Sequence, residues 1–214
     1  MTGAKRTILA TLSVVAVLLT GCSSSEAGDP DPSDNPNTVT ETSDNSAGGL
    51  PHSGAPSVSQ PINAEEWLPN PCSVITATQF KSIGFEDVDA EPNPDATSGP
   101  TCDWYPAEAT FAGVSGAFGT ADPPPEGLSR IYERHQAGEY KVWQELAPIA
   151  GHPAVRAEFE DGSDKGDCGL AVGLRDNLVY GVQVLDEKKE ITDDPCGLAR
   201  KIATLAVKTM KGEG

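Results

Sequence analysis

The chain predicts an α+β fold: a mostly antiparallel β-sheet of about five strands packed with about three helices and stapled by two disulfides. Three observations predict it. Asn70-Pro71-Cys72 and Asp194-Pro195-Cys196 each have the form of a helix start. Asn and Asp are good N-caps, and proline at the first helical position gives up only an N–H that has no partner there. Between these two points the apolar residues shift to a period of two, the spacing of a strand with one buried face. Four cysteines, Cys72, Cys102, Cys168 and Cys196, fall within the same stretch.

Taken in order, the first helix start is followed by Thr76-Ala77-Thr78-Gln79, which fits a capping box, then by Phe80 and Ile83, with Gly84 as a stop. This predicts a short helix. Cys102 to Tyr105 and Phe111 to Phe118 are expected as strands. Asp122-Pro123-Pro124-Pro125 makes a rigid, irregular loop, after which Leu128, Ile131, Tyr132 and His135 share one face of a helix from Gly127 to Gln136. Val155, Ala157 and Phe159 alternate with Arg156, Glu158 and Glu160, predicting a half-buried strand whose polar residues form a solvated face. Cys168 to Leu174 and Leu178 to Leu185 flank Arg175-Asp176-Asn177 and form a hairpin. The run from Asp186 to Glu190, followed by Asp193 and Asp194, is expected as an exposed turn and helix cap. Leu198, Ile202, Leu205, Ala206 and Met210 then recur at helical spacing, with Lys201, Lys208 and Lys211 outside or near the carboxyl end.

The segment ahead of this domain carries a different signal. Lys5 and Arg6 precede an apolar run from Ile8 to Leu19, which closes on Leu19-Thr20-Gly21-Cys22. A basic start, a short apolar stretch and small residues before a cysteine form a lipobox, so residues 1–21 are expected to be a lipoprotein signal peptide and Cys22 the lipidated first residue of the mature chain. The run is shorter than the roughly 20 residues a membrane-spanning helix needs. Residues 22–61 are rich in Ser, Pro, Asp, Asn and Gly and have no Lys or Arg. Composition of this kind offers too little apolar surface to offset the entropy of ordering, and predicts a disordered acidic tether with an r.m.s. span of about 35 Å. Asp29 to Asp34 resembles the start of a calcium loop but lacks the glycine and the final acid of one. Residues 62–214 then make one domain of ordinary size.

Charge narrows the partners. The chain has a formal net charge of −17, and loss of residues 1–21 would remove two cations and no acid. Nucleic acid is excluded as an expected partner, because affinity for phosphate backbones needs clustered Lys and Arg. Anionic lipid would be repelled too, so membrane attachment is expected to come from the diacylglyceryl and palmitate-type acyl chains on Cys22.

Export would place the four remaining cysteines in an oxidising compartment, where two disulfides with three connectivities are expected. None is spaced Cys-x-x-Cys, and no histidine neighbours one at ligand spacing, so neither a metal site nor a redox pair is expected. The common catalytic motifs are missing as well: Gly113-Val114-Ser115-Gly116 fails at the last place of Gly-x-Ser-x-Gly. His52 lies in the tether, His135 on the apolar helix face as a core residue, and His152 in a turn before Pro153. Glu158, Glu160 and Asp161 are candidates for a catalytic acid pair only through the abundance of acids. No catalytic residue, metal or cofactor is expected, and no ligand-binding residue stands out.

Asn-Pro-Cys at the domain start, Cys102-Asp103-Trp104, Gly151 to Val155, Cys168 opening a strand, and Asp-Pro-Cys before the last helix resemble, in that order, the actinobacterial cell-envelope lipoproteins of the domain-of-unknown-function 3558 family. The resemblance covers roughly Pro69 to Met210. It implies an envelope lipoprotein of an actinobacterium with an exported α+β domain, and transfers no activity and no catalytic residue. The expected pairing is Cys72 with Cys102 and Cys168 with Cys196, each joining a helix start to a strand start; the two crossed connectivities stay open.

The function expected on these grounds is that of a non-enzymatic binding or interaction module, lipid-anchored on the outer face of the cytoplasmic membrane and recognising an envelope protein or component. A carrier of a small apolar or lipidic ligand would need a sizeable apolar cavity. An envelope hydrolase would need a nucleophile or paired acids in a cleft. The lipobox generates one prediction: Cys22→Ala leaves the domain folded and releases it from the membrane fraction on cell fractionation. A variant that stays with membranes like the parent would sink the assignment.

Overall fold

The computed structural model describes residues 49–214 apart from 122–124. Among them, seven strands form one antiparallel sheet: β1 (Val88–Asn93), β2 (Thr101–Pro106), β3 (Ala112–Phe118), β4 (Val142–Ile149), β5 (His152–Glu158), β6 (Cys168–Arg175) and β7 (Leu178–Asp186). Their spatial order is β1-β2-β3-β7-β6-β5-β4. A three-stranded meander thus lies beside a four-stranded one, joined where the last strand pairs with the third. The α+β class holds, with two more strands than the sequence predicts.

Both additional strands, β1 and β4, are the edges of the sheet. An edge strand buries little, so the alternation that reveals a strand fades. In β1 only Val88 is partly covered, and Asp89, Glu91 and Pro92 break the apolar pattern; in β4 only Ile149 is buried.

Helices close the sheet unevenly. A 3₁₀ turn at Pro71–Val74 and α1 (Ala77–Ser82) replace the single short helix expected near residue 72. The capping box is present: the Gln79 N–H donates to the Thr76 hydroxyl, and the Thr76 N–H donates to the Gln79 side chain at 2.7 Å. α2 spans Leu128–Gln136, entered through Gly127 at φ +57°, where a Cβ would run into the Asp176 carbonyl. α3 spans Pro195–Met210, its first turn capped by the Asp194 carboxylate, which accepts from the Gly197 N–H at 2.8 Å. Leu198, Ile202, Ala206 and Met210 lie along its buried side and pack with Leu170, Val172, Val182 and Val184 of the sheet.

Residues 49–61, assigned by composition to the tether, are seated on the domain. The Val58 N–H donates to Asp176 Oδ1 at 2.7 Å, the His52 N–H donates to Ser129 Oγ at 2.9 Å, and Ala55 and Val58 are buried. The Ile62 N–H continues the strap, donating to the Leu174 carbonyl at 2.9 Å. A few spaced apolar residues and side-chain acceptors for its backbone suffice to hold this stretch; averaged composition hides both. The stretch ahead of Ile62 is therefore packed on the domain from His52 onward. The signal peptide 1–21, Cys22 and the tether as far as residue 48 lie outside the described residues.

Cys72 is bonded to Cys102 and Cys168 to Cys196, closing loops of 30 and 28 residues. Each bridge ties a helical turn to the start of a strand. Replacing one pair, Cys168→Ala with Cys196→Ala, is expected to cost about 3–4 kcal/mol on the chain-entropy estimate and to lower the melting temperature by roughly 6–16 °C. Thermal unfolding of the oxidised parent and the double variant checks this, and equal melting would show that the bridge contributes nothing.

Candidate functional site: an acidic and apolar sheet face

Strand alternation divides the sheet into two unlike faces. Cys102 and Trp104 of β2, Val114 and Phe118 of β3, and Tyr180, Val182 and Val184 of β7 point towards α3 and are buried. On the opposite face, α2 and the 49–61 strap cover only the half built from β5, β6 and the start of β7, where Ala55, Leu128, Tyr132 and Val155 form a second small core. The half built from β1, β2, β3 and the end of β7 carries no helix among the described residues. Tyr105, Phe111 and Leu185 stand there 43 %, 61 % and 49 % exposed, three of the five large apolar side chains exposed in the described structure.

Register brings these residues together. Gly113 lies opposite Leu185 across the β3–β7 pair, and the Tyr105 ring rests against Gly113, where an added Cβ would come within 3.1 Å of it. The result is a trough of about 190 Å³ walled by Tyr105, Phe111 and Leu185, with Gly113 and Ser115 as floor and Asp103 at one end. Across β1 and β2, Asp89 faces Tyr105 and Glu91 faces Asp103. The phenol of Tyr105 is raised above its ordinary pKa, first by partial burial and then by the fields of Asp103 and Glu91.

Two carboxylates in series position the Phe111 wall. Asp186, fully buried at the end of β7, accepts N–H bonds from Glu190 at 2.6 Å, Ile191 at 3.0 Å and Thr192 at 2.8 Å. These bonds compensate the burial of its charge and fold the following loop back. The loop then presents Glu190, whose Oε2 accepts from both the Thr110 and Phe111 N–H groups at 2.8 Å. Lys188 from the same loop sits 3.2 Å over the Phe111 ring. Bonds from Phe111 and Thr110, aided by Lys188 against slight desolvation, hold the Glu190 carboxyl below the usual carboxylate range. Asp186 is thus a buried anchor rather than part of an exposed turn.

The residues weighed from sequence are otherwise placed as structural parts. Glu158 is buried, not on a solvated face: it pairs with Arg156, and its Oε1 accepts the Gly169 N–H at 2.7 Å. Phe159, expected inside, is half exposed beneath the Arg134 guanidinium at 4.6 Å. Glu160 pairs with Lys141 at 3.2 Å and Asp161 with Arg156 at 3.5 Å, so each member of the acid trio faces a cation. His135 is half-buried rather than in the core, stacked on Trp143 with ring centroids 3.9 Å apart. His152 is the buried first residue of β5 rather than a turn residue, with Nδ1 2.9 Å from the Gly173 carbonyl. His52 belongs to the strap, its Nε2 3.6 Å from Glu126. Among the described residues no group of three or more His, Cys, Asp or Glu side chains is disposed to hold a metal ion. The hollow beside the Cys168–Cys196 bridge, walled by Leu146, Leu170, Arg156 and Arg200, measures about 230 Å³.

The sequence placed Tyr105, Phe111 and Leu185 in or beside three strands but did not join them. Alternation with the buried Trp104 and Val184 turns Tyr105 and Leu185 outward, which is the signal available; the β3–β7 pairing that makes them neighbours is not local.

The fold and this face define a small, disulfide-stapled α+β domain with three of the five exposed large apolar side chains of the described residues gathered on one open half of a sheet. The chain belongs to the family described as "Protein of unknown function (DUF3558)", whose model matches residues 17–209. No curated protein and no solved structure matches it.

The Glu190 clamp generates a pH prediction. Its folded pKa is depressed, so its contribution is complete above the ordinary carboxylate range and is lost as pH falls through the lowered value. The Phe111 ring resonances are expected to stay constant between about pH 5 and pH 8 and to move only in more acid solution. Glu190→Gln moves them throughout; ring signals indifferent to that substitution would remove the clamp.

Proposed function

We propose that this chain is a lipid-anchored, extracytoplasmic binding module of the cell envelope, held at the membrane through Cys22 and engaging a partner through the open sheet face. The observation that carries the proposal is the trough itself: three exposed apolar side chains gathered by three strands, with one wall fixed by the Asp186 and Glu190 clamps. A fold gains nothing by exposing and immobilising an aromatic wall, whereas a recognition surface does. The lipobox supports the location, and no described helix is long and apolar enough to cross a membrane. Binding is favoured over carriage because the hollow at the bridge, about 230 Å³, falls short of the roughly 300–1,000 Å³ of sites that enclose small ligands, and the larger hollow of about 450 Å³ is lined by Thr76, Thr78, Gln79, Ser82 and Thr209 rather than by the large apolar side chains of a lipidic site.

Site-directed photo-crosslinking in cells tests this. Benzoylphenylalanine in place of Leu185 is expected to give a discrete adduct of higher mass, and the same residue in place of Glu65, exposed next to Ala64 of the core on the α3 side and so on the opposite side of the sheet, none. Adducts absent at position 185, or equal at both, would sink the proposal.

A further inference from the structure

The trough carries an electrostatic arrangement that the isolated chain leaves unresolved. Glu91 and Asp103 are directly opposed across β1 and β2, with Asp89 one step along the same face. Like charges in cross-strand register destabilise a sheet. None of the three takes part in an ion pair among the described residues. Beside them the Tyr105 ring is exposed, two residues along the strand from Asp103 and so roughly 7 Å away.

At the other end of the sheet the chain shows what completes such a set. Arg134 lies over the exposed Phe159 ring, 4.6 Å from its centroid, while its Nε donates to Glu139 at 2.7 Å. The ring is covered and the carboxylate neutralised by one planar cation. The trough has the ring, Tyr105, and the carboxylates, Asp103 and Glu91, but no guanidinium. Lys188, the cation nearest the trough wall, is engaged on Phe111.

We infer that the trough of Tyr105, Phe111 and Leu185, with the facing acids Asp103 and Glu91, docks an arginine-bearing, apolar segment of a partner protein. The guanidinium stacks on the Tyr105 ring and donates to the Asp103 carboxylate, relieving its repulsion with Glu91, while a neighbouring apolar side chain fills the trough against Leu185 and Gly113. A planar fork satisfies ring and carboxylate together, which a lysine ammonium does less well. The inference rests on the binding function proposed above and names the partner's chemistry.

The test is titration of the full chain, in detergent, against three fluorescein-labelled octapeptides of alternating sequence, Arg-Phe, Lys-Phe and Glu-Phe, at physiological ionic strength. The Arg-Phe peptide is expected to bind tightest, the Lys-Phe peptide more weakly, and the Glu-Phe peptide not at all. Asp103→Asn, which keeps the shape of the side chain and relieves the like-charge pair, is expected to weaken Arg-Phe binding about ten-fold. Tyr105→Ser weakens it as well, and Glu65→Gln, one charge removed on the opposite side, leaves it unchanged. Thermal melting of each variant confirms folding; should Tyr105→Ser melt early, the Asp103→Asn result stands alone. Equal weakening by Glu65→Gln would reduce the effect to bulk charge and overturn the inference. Equal binding of the Glu-Phe peptide would overturn it too. In both cases an adduct at position 185 in cells would still uphold the binding module, so the two ideas fail separately.

Discussion

A seven-stranded sheet has two faces to cover, and the described residues bring only one long helix. That shortage governs the rest of the structure. α3, the 3₁₀ turn and α1 close one face with a continuous aliphatic and aromatic core, while α2 and the strap from residue 49 close half of the other. Over the remaining half, the outward positions of β3 and β7 carry Gly113, Ser115, Ala117 and Gly181, side chains too small to demand a cover, and the polar Gln183. Larger apolar groups stand only at the rim, where Tyr105 leans on a glycine and Phe111 is held from behind. A face of this make-up tolerates water without a large apolar penalty and still offers a flat, firm surface.

An acidic chain must also dispose of its carboxylates, and this one separates them into two populations. Asp186 and Glu158 are buried and spend their lone pairs on backbone N–H groups or on Arg156. Their charge is compensated locally, which makes them organisers of chain direction rather than sources of an external field. Asp89, Glu91 and Asp103 have no such compensation on the open face, where Tyr105 feels the field of Asp103 and Glu91. The same residue types therefore do opposite work, depending on whether the backbone turns towards them.

What was legible from sequence was what is local. The Asp194 cap and the apolar spacing of α3, the capping box at Thr76 and the hairpin around Asp176 are each complete within a few residues, and all are present. The edge strands β1 and β4 were missed because burial supplies the alternation by which strands are read, and edges have little of it. Glu158 and Phe159 exchanged their expected places because a salt bridge to Arg156 can bury an acid and a guanidinium can shelter an exposed ring, events that hydropathy does not encode. The trough was further out of reach. Its walls come from three strands whose adjacency depends on β7 returning to pair with β3, a long-range choice that no window of sequence displays.

The two bridges have a consequence for how the molecule meets proteases. The turn between β1 and β2 lies between Cys72 and Cys102, and the exposed acidic loop after β7 lies between Cys168 and Cys196. Hydrolysis of a peptide bond in either segment leaves both new ends in one covalent molecule. A nick there is therefore silent to any assay that separates fragments without reductant, and the cut ends stay beside the strands they left. The segments that present Glu91 and Glu190 to the open face are the ones so protected, while the span between Cys102 and Cys168 has no such insurance.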